Sequence, residues 1–239
     1  MQRVNIIIGR FQPFTAGHYV CVTTANKKKK LPTVICMVDT PESKVDNRHP
    51  FPTSMLLNAY KKFFDNDPLI KEVITVKNAD IVNAAKALKD KGYQIASWTC
   101  GTDRFSDYSK MAEKYHDVAG LSDDFECIEV PRTDEDISAT KARNCLLNDD
   151  KDGFFKLMPS DLEKSDELYN TLKAQMEAAK DIEPKKKTAK KKASKESLVF
   201  EYRLARLTKK LERLELECRV SKIEQLLSAR NKQTCKFDF

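Results

Sequence analysis

The sequence predicts an α/β fold built on a doubly wound parallel sheet. Short runs rich in β-branched residues, near Val4, Thr33, Val73, Gln94 and Phe125, alternate with stretches whose apolar residues recur at helical spacing. No two-residue hairpin signal separates those runs, so each strand-like run is followed by a crossover rather than a tight turn. Alternation of this kind argues for a Rossmann-like sheet with helices on both faces.

The elements follow in order. Val4 to Ile8 is β-branched, continuous and closed by Gly9, as a buried parallel strand should be. Gly17 to about Asn26 fits a short helix, with Lys27 to Lys30 as a solvated charge run. Thr33 to Val38 is the second strand, and Asp39-Thr40-Pro41-Glu42-Ser43 forms the loop at its carboxyl end, where open α/β sheets place ligands. That loop continues through Asn47-Arg48-His49-Pro50-Phe51. A helix runs from about Ser54 to Phe64 with Met55, Leu56, Ala59, Tyr60 and Phe63 on one face. Val73 to Val76 is the third strand, and Ala79 to Lys91 a helix ended by Gly92. Gln94 to Thr99 is the fourth strand, followed by Gly101-Thr102-Asp103-Arg104 and a helix from Phe105 to His116. Trp98, in that strand, reads as a core residue. Phe125 to Val130 is the fifth strand. A helix then leads from Ile137-Ser138-Ala139-Thr140-Lys141-Ala142-Arg143 through Leu147. Ser160 to Ala179 packs back on the core through Leu162, Leu168, Leu172 and Met176.

The expected organisation is a domain over residues 1–180 (core 1–150, helical end 151–180), a lysine-rich linker over 181–196, and an amphipathic helix and tail over 197–239. The linker carries seven lysines and no acid between Lys185 and Lys195. The net charge of the whole chain is +7, so the basicity is local and gives at most non-specific nucleic-acid binding. Such a segment buries no core. Beyond it, Phe200, Leu204, Leu207, Leu211, Leu214 and Cys218 recur in a heptad-like pattern that Val220, Ile223 and Leu227 continue with a phase shift. That stripe suits self-association or docking to a protein partner.

Composition narrows the class further. The chain is 41% apolar and 33% charged over 239 residues. It shows no signal peptide and no apolar run of the ~20 residues that span a bilayer. Its seven cysteines form no Cys-x-x-Cys and no zinc spacing, so reduced thiols in a cytoplasmic setting are expected.

The chemistry concentrates in two stretches. The first is Gly9-Arg10-Phe11-Gln12-Pro13-Phe14-Thr15-Ala16-Gly17-His18. A strand that stops at a glycine and restarts as a helix leaves free backbone N–H groups converging on one spot, which favours a phosphate. The second is Ile137-Ser138-Ala139-Thr140-Lys141-Ala142-Arg143, with Ser138 as helix cap and two hydroxyls and a guanidinium within one turn. Together they resemble the nucleotidyltransferase superfamily with (His/Thr)-x-Gly-His and Ile-Ser-x-Thr-x-x-Arg motifs. The Gly-Arg-Phe-Gln-Pro-Phe start looks most like nicotinamide-mononucleotide adenylyltransferases, with cytidylyltransferase-like proteins close by. Thr15 departs from the His-x-Gly-His form, and His49 stands where the adenylyltransferase loop Arg-Asn-Pro-Phe has Asn.

The resemblance implies nucleotidyl transfer. A phosphate oxygen of a phosphomonoester acceptor attacks the α-phosphorus of a nucleoside triphosphate, and pyrophosphate leaves. It implies ATP as donor and nicotinamide mononucleotide as acceptor. The alternatives are a CTP-dependent enzyme acting on a phosphorylated small molecule, or an assembly protein that retains the domain. The implied catalytic residues are His18, Thr15 and Arg143. The nucleotide and phosphates would be held by Gly9, Arg10, Phe11, Gly17, His18, Gly101, Asp103, Ser138, Thr140 and Arg143. The acceptor would be held by Arg48 and His49. Phe11 and Phe14 also read as packing residues. No metal-ligand set is expected; Mg²⁺ would bridge phosphate oxygens and need few protein ligands.

Overall fold

The computed structural model describes residues 1–131, 137–162 and 165–184, together with Thr208, Glu212, Leu214, Glu215, Arg219, Val220 and Lys222, which are helical. Contacts divide the chain into Met1–Lys186 and Lys187–Phe239. The predicted linker from residue 185 onward, and the amphipathic helix beyond it apart from those positions, lie outside the described residues.

The first unit is a parallel five-stranded sheet of order β3-β2-β1-β4-β5. Its strands are β1 (Gln2–Gly9), β2 (Thr33–Val38), β3 (Ile70–Val76), β4 (Tyr93–Gly101) and β5 (Glu126–Val130). Its helices are α1 (Ala16–Lys29), α2 (Thr53–Asn66), α3 (Ile81–Lys89), α4 (Thr102–Ala119), α5 (Ala139–Leu147), α6 (Lys151–Phe155) and α7 (Asp166–Ala179). β1 lies at the centre, with Ile7 opposite Ile35 of β2 and Ile6 opposite Trp98 of β4.

Period-two alternation splits β1 between two cores. Val4, Ile6 and Ile8 face a cluster with Val34, Cys36, Trp98 and the buried residues of α3 and α4. Ile7, Ile35 and Met37 face the other cluster, with Val22 of α1 and the apolar sides of α2, α5, α6 and α7. Each such side chain removed from water contributes about 1.5–3 kcal/mol. Doubly covered strands therefore read as continuous apolar runs. Trp98 is fully buried and stacks on Tyr108 at 3.9 Å between ring centroids, a core residue as expected.

Several boundaries differ from the sequence reading. Lys27, Lys28 and Lys29 form the last turn of α1 rather than a loop, because cations at a helix C-terminus complement its dipole. Lys28 pairs with Glu126, and the Lys29 ammonium lies 3.7 Å from Asp124. β3 begins at Ile70, earlier than read, since Lys71 and Glu72 on this edge strand hide its start. α4 begins at Thr102, with Gly101 as its cap. The short α6, capped by Asp150 through the Gly153 N–H, lies ahead of the Ser160 to Ala179 stretch read as packing back on the core. Leu168, Leu172 and Met176 of α7 are buried against the core, as expected.

Candidate active site

β1 ends at Gly9, where a Cβ would stand 2.9 Å from the Phe11 ring. The glycine lets that ring fold back over the strand end. Phe11 has φ 49, a left-handed conformation that bulky residues seldom adopt. Its neighbours hold it there. The ring is buried 5.5 Å from Phe14 and 5.0 Å from His18. Phe14 is fully buried beside Tyr60, Phe63 and Phe64, and the Tyr60 hydroxyl donates to its carbonyl at 2.9 Å. Phe11 and Phe14 thus form an aromatic floor under His18.

Thr15 is the N-cap of α1 and His18 its third residue. The Thr15 backbone N–H donates to His18 Nδ1 at 3.0 Å, and Thr15 Oγ1 lies 3.0 Å from the same nitrogen. Because Nδ1 accepts, the neutral imidazole carries its hydrogen on Nε2. This is capping-box geometry with histidine in the place of glutamate, a spacing the sequence contains but which the motif alone did not reveal.

The second motif reaches the first. Ser138 caps α5 by accepting the Lys141 N–H at 3.1 Å. One turn on, Arg143 donates from Nη1 to the Gln12 carbonyl at 2.5 Å and from Nη2 to Thr140 Oγ1 at 3.2 Å. Burial lowers the Arg143 pKa without removing its charge. Gly17 completes the junction: a Cβ there would lie 2.7 Å from the Ile137 carbonyl oxygen. Only a glycine lets the start of α1 touch the backbone leading into α5.

A residue that the sequence reading did not single out, Gln12, ties in the loop Asp46–Phe51. Its Nε2 donates to Phe51 O at 2.6 Å, while its Oε1 accepts the Phe51 N–H at 2.9 Å. Its partners are backbone groups, so no side-chain pattern announces them. The loop is also held from α7, where Gln175 Nε2 donates to Pro50 O at 2.9 Å, and from Ile182, whose carbonyl accepts the Asn47 N–H at 2.9 Å. Arg10 and Arg48 are exposed. The His49 pKa is pushed below the usual histidine range by burial first, then by Arg10 and Arg143, with Asp46 partly opposing.

Gly101 and Asp103 lie at the junction of β4 and α4, and Asp103 Oδ2 is 3.6 Å from Arg104 Nε. β4 neighbours β1, yet α1 joins one core cluster and α4 the other. Both helices start at the carboxyl ends of adjacent strands and leave to opposite faces, which opens a crevice at the topological switch point. The predicted phosphate residues therefore border one crevice edge from α1 and α5 and the other from α4. An open groove of about 810 Å³ between α2 and α7, lined by Lys61, Lys62, Asp65 and Glu167 among others, contains none of them. Among the described residues no three His, Cys, Asp or Glu side chains cluster to hold a metal. Burial keeps the Cys100 thiol protonated, its pKa pushed up to about 12, which removes it as a nucleophile.

The sequence model of the Cytidylyltransferase-like family matches residues 6–145, which span both motifs and all of the sheet except the first four residues of β1. The chain belongs to this family. Solved structures similar to this cytidylyltransferase-like chain include the Plasmodium falciparum nicotinic acid mononucleotide adenylyltransferase complexed with NaAD. It is 12% identical with a TM-score of 0.47, over 72% of this chain and 95% of that one. Another is Thermotoga maritima TmcAL bound with alpha-thio ATP, 12% identical with a TM-score of 0.45, over 77% of this chain and 57% of that one. Comparison with curated proteins finds no match. Among the described residues no helix is long and apolar enough to cross a membrane.

Proposed function

We propose that this cytidylyltransferase-like chain transfers a nucleotidyl group from ATP to a phosphomonoester, with nicotinamide mononucleotide as the favoured acceptor. The observation that carries the reading is the junction of the two motifs, where Gly17 meets the Ile137 carbonyl and Arg143 meets the Gln12 carbonyl. That junction directs the starts of α1 and α5, the His18 ring and the Arg143 guanidinium at one polyphosphate.

A phosphate oxygen of the acceptor attacks the α-phosphorus of the nucleotide, and the bond to the bridging oxygen of the leaving pyrophosphate breaks. The acceptor is already nucleophilic, so catalysis consists of positioning and charge neutralisation. His18 donates from Nε2 to an α-phosphate oxygen as charge moves to the leaving group. Thr15 keeps that tautomer in place and offers its hydroxyl. Arg143, Ser138 and Thr140 hold the β- and γ-phosphates, and Arg10 meets a phosphate from the turn. Arg48 and His49 face the acceptor. Apart from Asp103 the predicted residues are cationic or neutral, so Mg²⁺ would fit as an ion carried by the phosphates. Bound there, Mg²⁺ would supply charge neutralisation on the leaving pyrophosphate.

The matching family's description supports a second reading with CTP as donor. Pyrophosphate release by purified protein, with ATP and CTP each paired with nicotinamide mononucleotide and a panel of phosphorylated acceptors, tests both. Turnover with ATP and the mononucleotide, lost in His18→Ala, is expected. Turnover with CTP alone changes the donor. No turnover with any pair refutes the reading.

A further inference from the structure

We propose that Asp46 and His49 form a proton-accepting pair that lets this enzyme use its acceptor in the monoanionic state. The inference rests on the nucleotidyl-transfer reading and deepens it at the acceptor loop.

The geometry is that of an oriented imidazole. Asp46 Oδ1 accepts the backbone N–H of Arg48 at 2.9 Å and of His49 at 2.7 Å, which fixes the carboxylate. The same oxygen lies 3.3 Å from His49 Nδ1. A carboxylate only accepts, so Nδ1 carries the hydrogen and Nε2 presents a lone pair. No hydrogen bond to Nε2 is found among the described residues. The loop cannot drift from the phosphate groups, because Gln12 binds Phe51 through both its amide atoms while its own carbonyl holds Arg143. His18 and His49 are thus opposite tautomers beside the same turn, one a donor at Nε2 and the other an acceptor.

The charges around His49 suit the task. Burial first, then Arg10 from the turn and Arg143 from α5, disfavour the imidazolium, and Asp46 of its own loop favours it. Arg48 adjoins it in the loop and is exposed. Without substrate, burial and the cations together disfavour the protonated ring. When phosphates occupy the two guanidinium groups, the cations' part of that opposition is neutralised and the ring becomes more basic.

A phosphomonoester has its second pKa near ~6. Below that, one acceptor oxygen is P–O–H, a poor nucleophile. Its proton moves to the Nε2 lone pair, giving an imidazolium held by Asp46. The freed oxygen attacks the α-phosphorus, and the electron pair of the broken bond leaves on pyrophosphate. The imidazolium then returns its proton to solvent.

The test is the pH profile of kcat/KM for nicotinamide mononucleotide from about pH 5 to about pH 8.5, across the acceptor's second pKa. Wild type, His49→Asn and Asp46→Asn are compared with the donor that turns over. In wild type the acid limb should fall below the acceptor's own pKa. In both variants it should rise to that pKa, deepening their deficit by about tenfold at about pH 5 relative to about pH 8. Parallel profiles, whatever the loss at high pH, overturn the proposal and leave the functional reading standing. No turnover in wild type overturns both. The protein has three histidines, so ¹⁵N spectra of the full chain report the His49 tautomer independently of turnover. A hydrogen on Nε2 there also overturns the proposal.

Discussion

Replacing Gly17 by alanine separates the fold from the proposed chemistry. The new Cβ would sit 2.7 Å from the Ile137 carbonyl oxygen, a backbone atom that cannot swing aside, where ordinary contact begins at 3.4 Å. Relief requires the start of α1 and the entry to α5 to part by about 0.7 Å, the difference of those two distances. Overpacking costs about 1–3 kcal/mol. Alanine returns up to about 1 kcal/mol of helix propensity. The net loss is then about 0–3 kcal/mol, a fall in Tm of at most about 12 °C for a chain this size. Misplacement near 1 Å costs about a hundredfold in rate. Circular dichroism melting and pyrophosphate release on one preparation should therefore show a folded protein with kcat/KM down about a hundredfold. Activity within about threefold of wild type, with the protein still folded, would refute the claim that this contact aligns the two motifs.

Three further expectations follow from the same geometry. Arg143→Lys cannot span Gln12 O and Thr140 Oγ1 with one ammonium, so turnover should drop about 10²–10³-fold with little change in Tm. Gln12→Glu places a carboxylate against the Phe51 carbonyl and loses one of the paired bonds. A stability loss of about 1–3 kcal/mol by urea titration should accompany a KM that rises more for the acceptor than for the nucleotide. His49 binds its proton less readily folded than unfolded, so the unfolded state takes up more protons as pH falls through the ordinary histidine range. Its contribution to stability is therefore lost on acidification through that range, and the Tm difference between about pH 7.5 and about pH 5.5 should shrink in His49→Asn.

What the sequence discloses depends on where each group finds its partner. β2 and the Val4–Ile8 part of β1 were legible because both faces are buried and, Asn5 apart, every residue is apolar or small. The start of β3 was not, because this edge strand carries an exposed Lys71 and a half-buried Glu72 that pairs with Lys91. The end of α1 was hidden for a related reason: its last turn is stabilised by ion pairs and the helix dipole, and periodicity of apolar residues is blind to both. In the candidate site, Thr15, His18, Ser138 and Arg143 are singled out by their motifs. The junction between motifs is not, since Gly17 acts through an absent Cβ and Arg143 through a carbonyl. Gln12 stayed silent because both ends of its amide serve the backbone of Phe51.

The fastening of the loop at Asn47 to the carbonyl of Ile182, with Gln175 holding Pro50 alongside it, bears on how the chain matures during synthesis. The ribosome delivers β1 first, but one of its two neighbours, β4, comes after three helices have been made. The latch on the Asp46–Phe51 loop comes last of all. A nascent chain can close its sheet and bring α5 against the turn at Gln12 while the loop is still held by Gln12 alone. Domains acquire structure from the N-terminus as they emerge, and contacts distant in sequence close slowly. The turn at Gln12 and α5 are therefore assembled before the Asp46–Phe51 loop is fully latched, and the first unit is finished only when its final residues arrive.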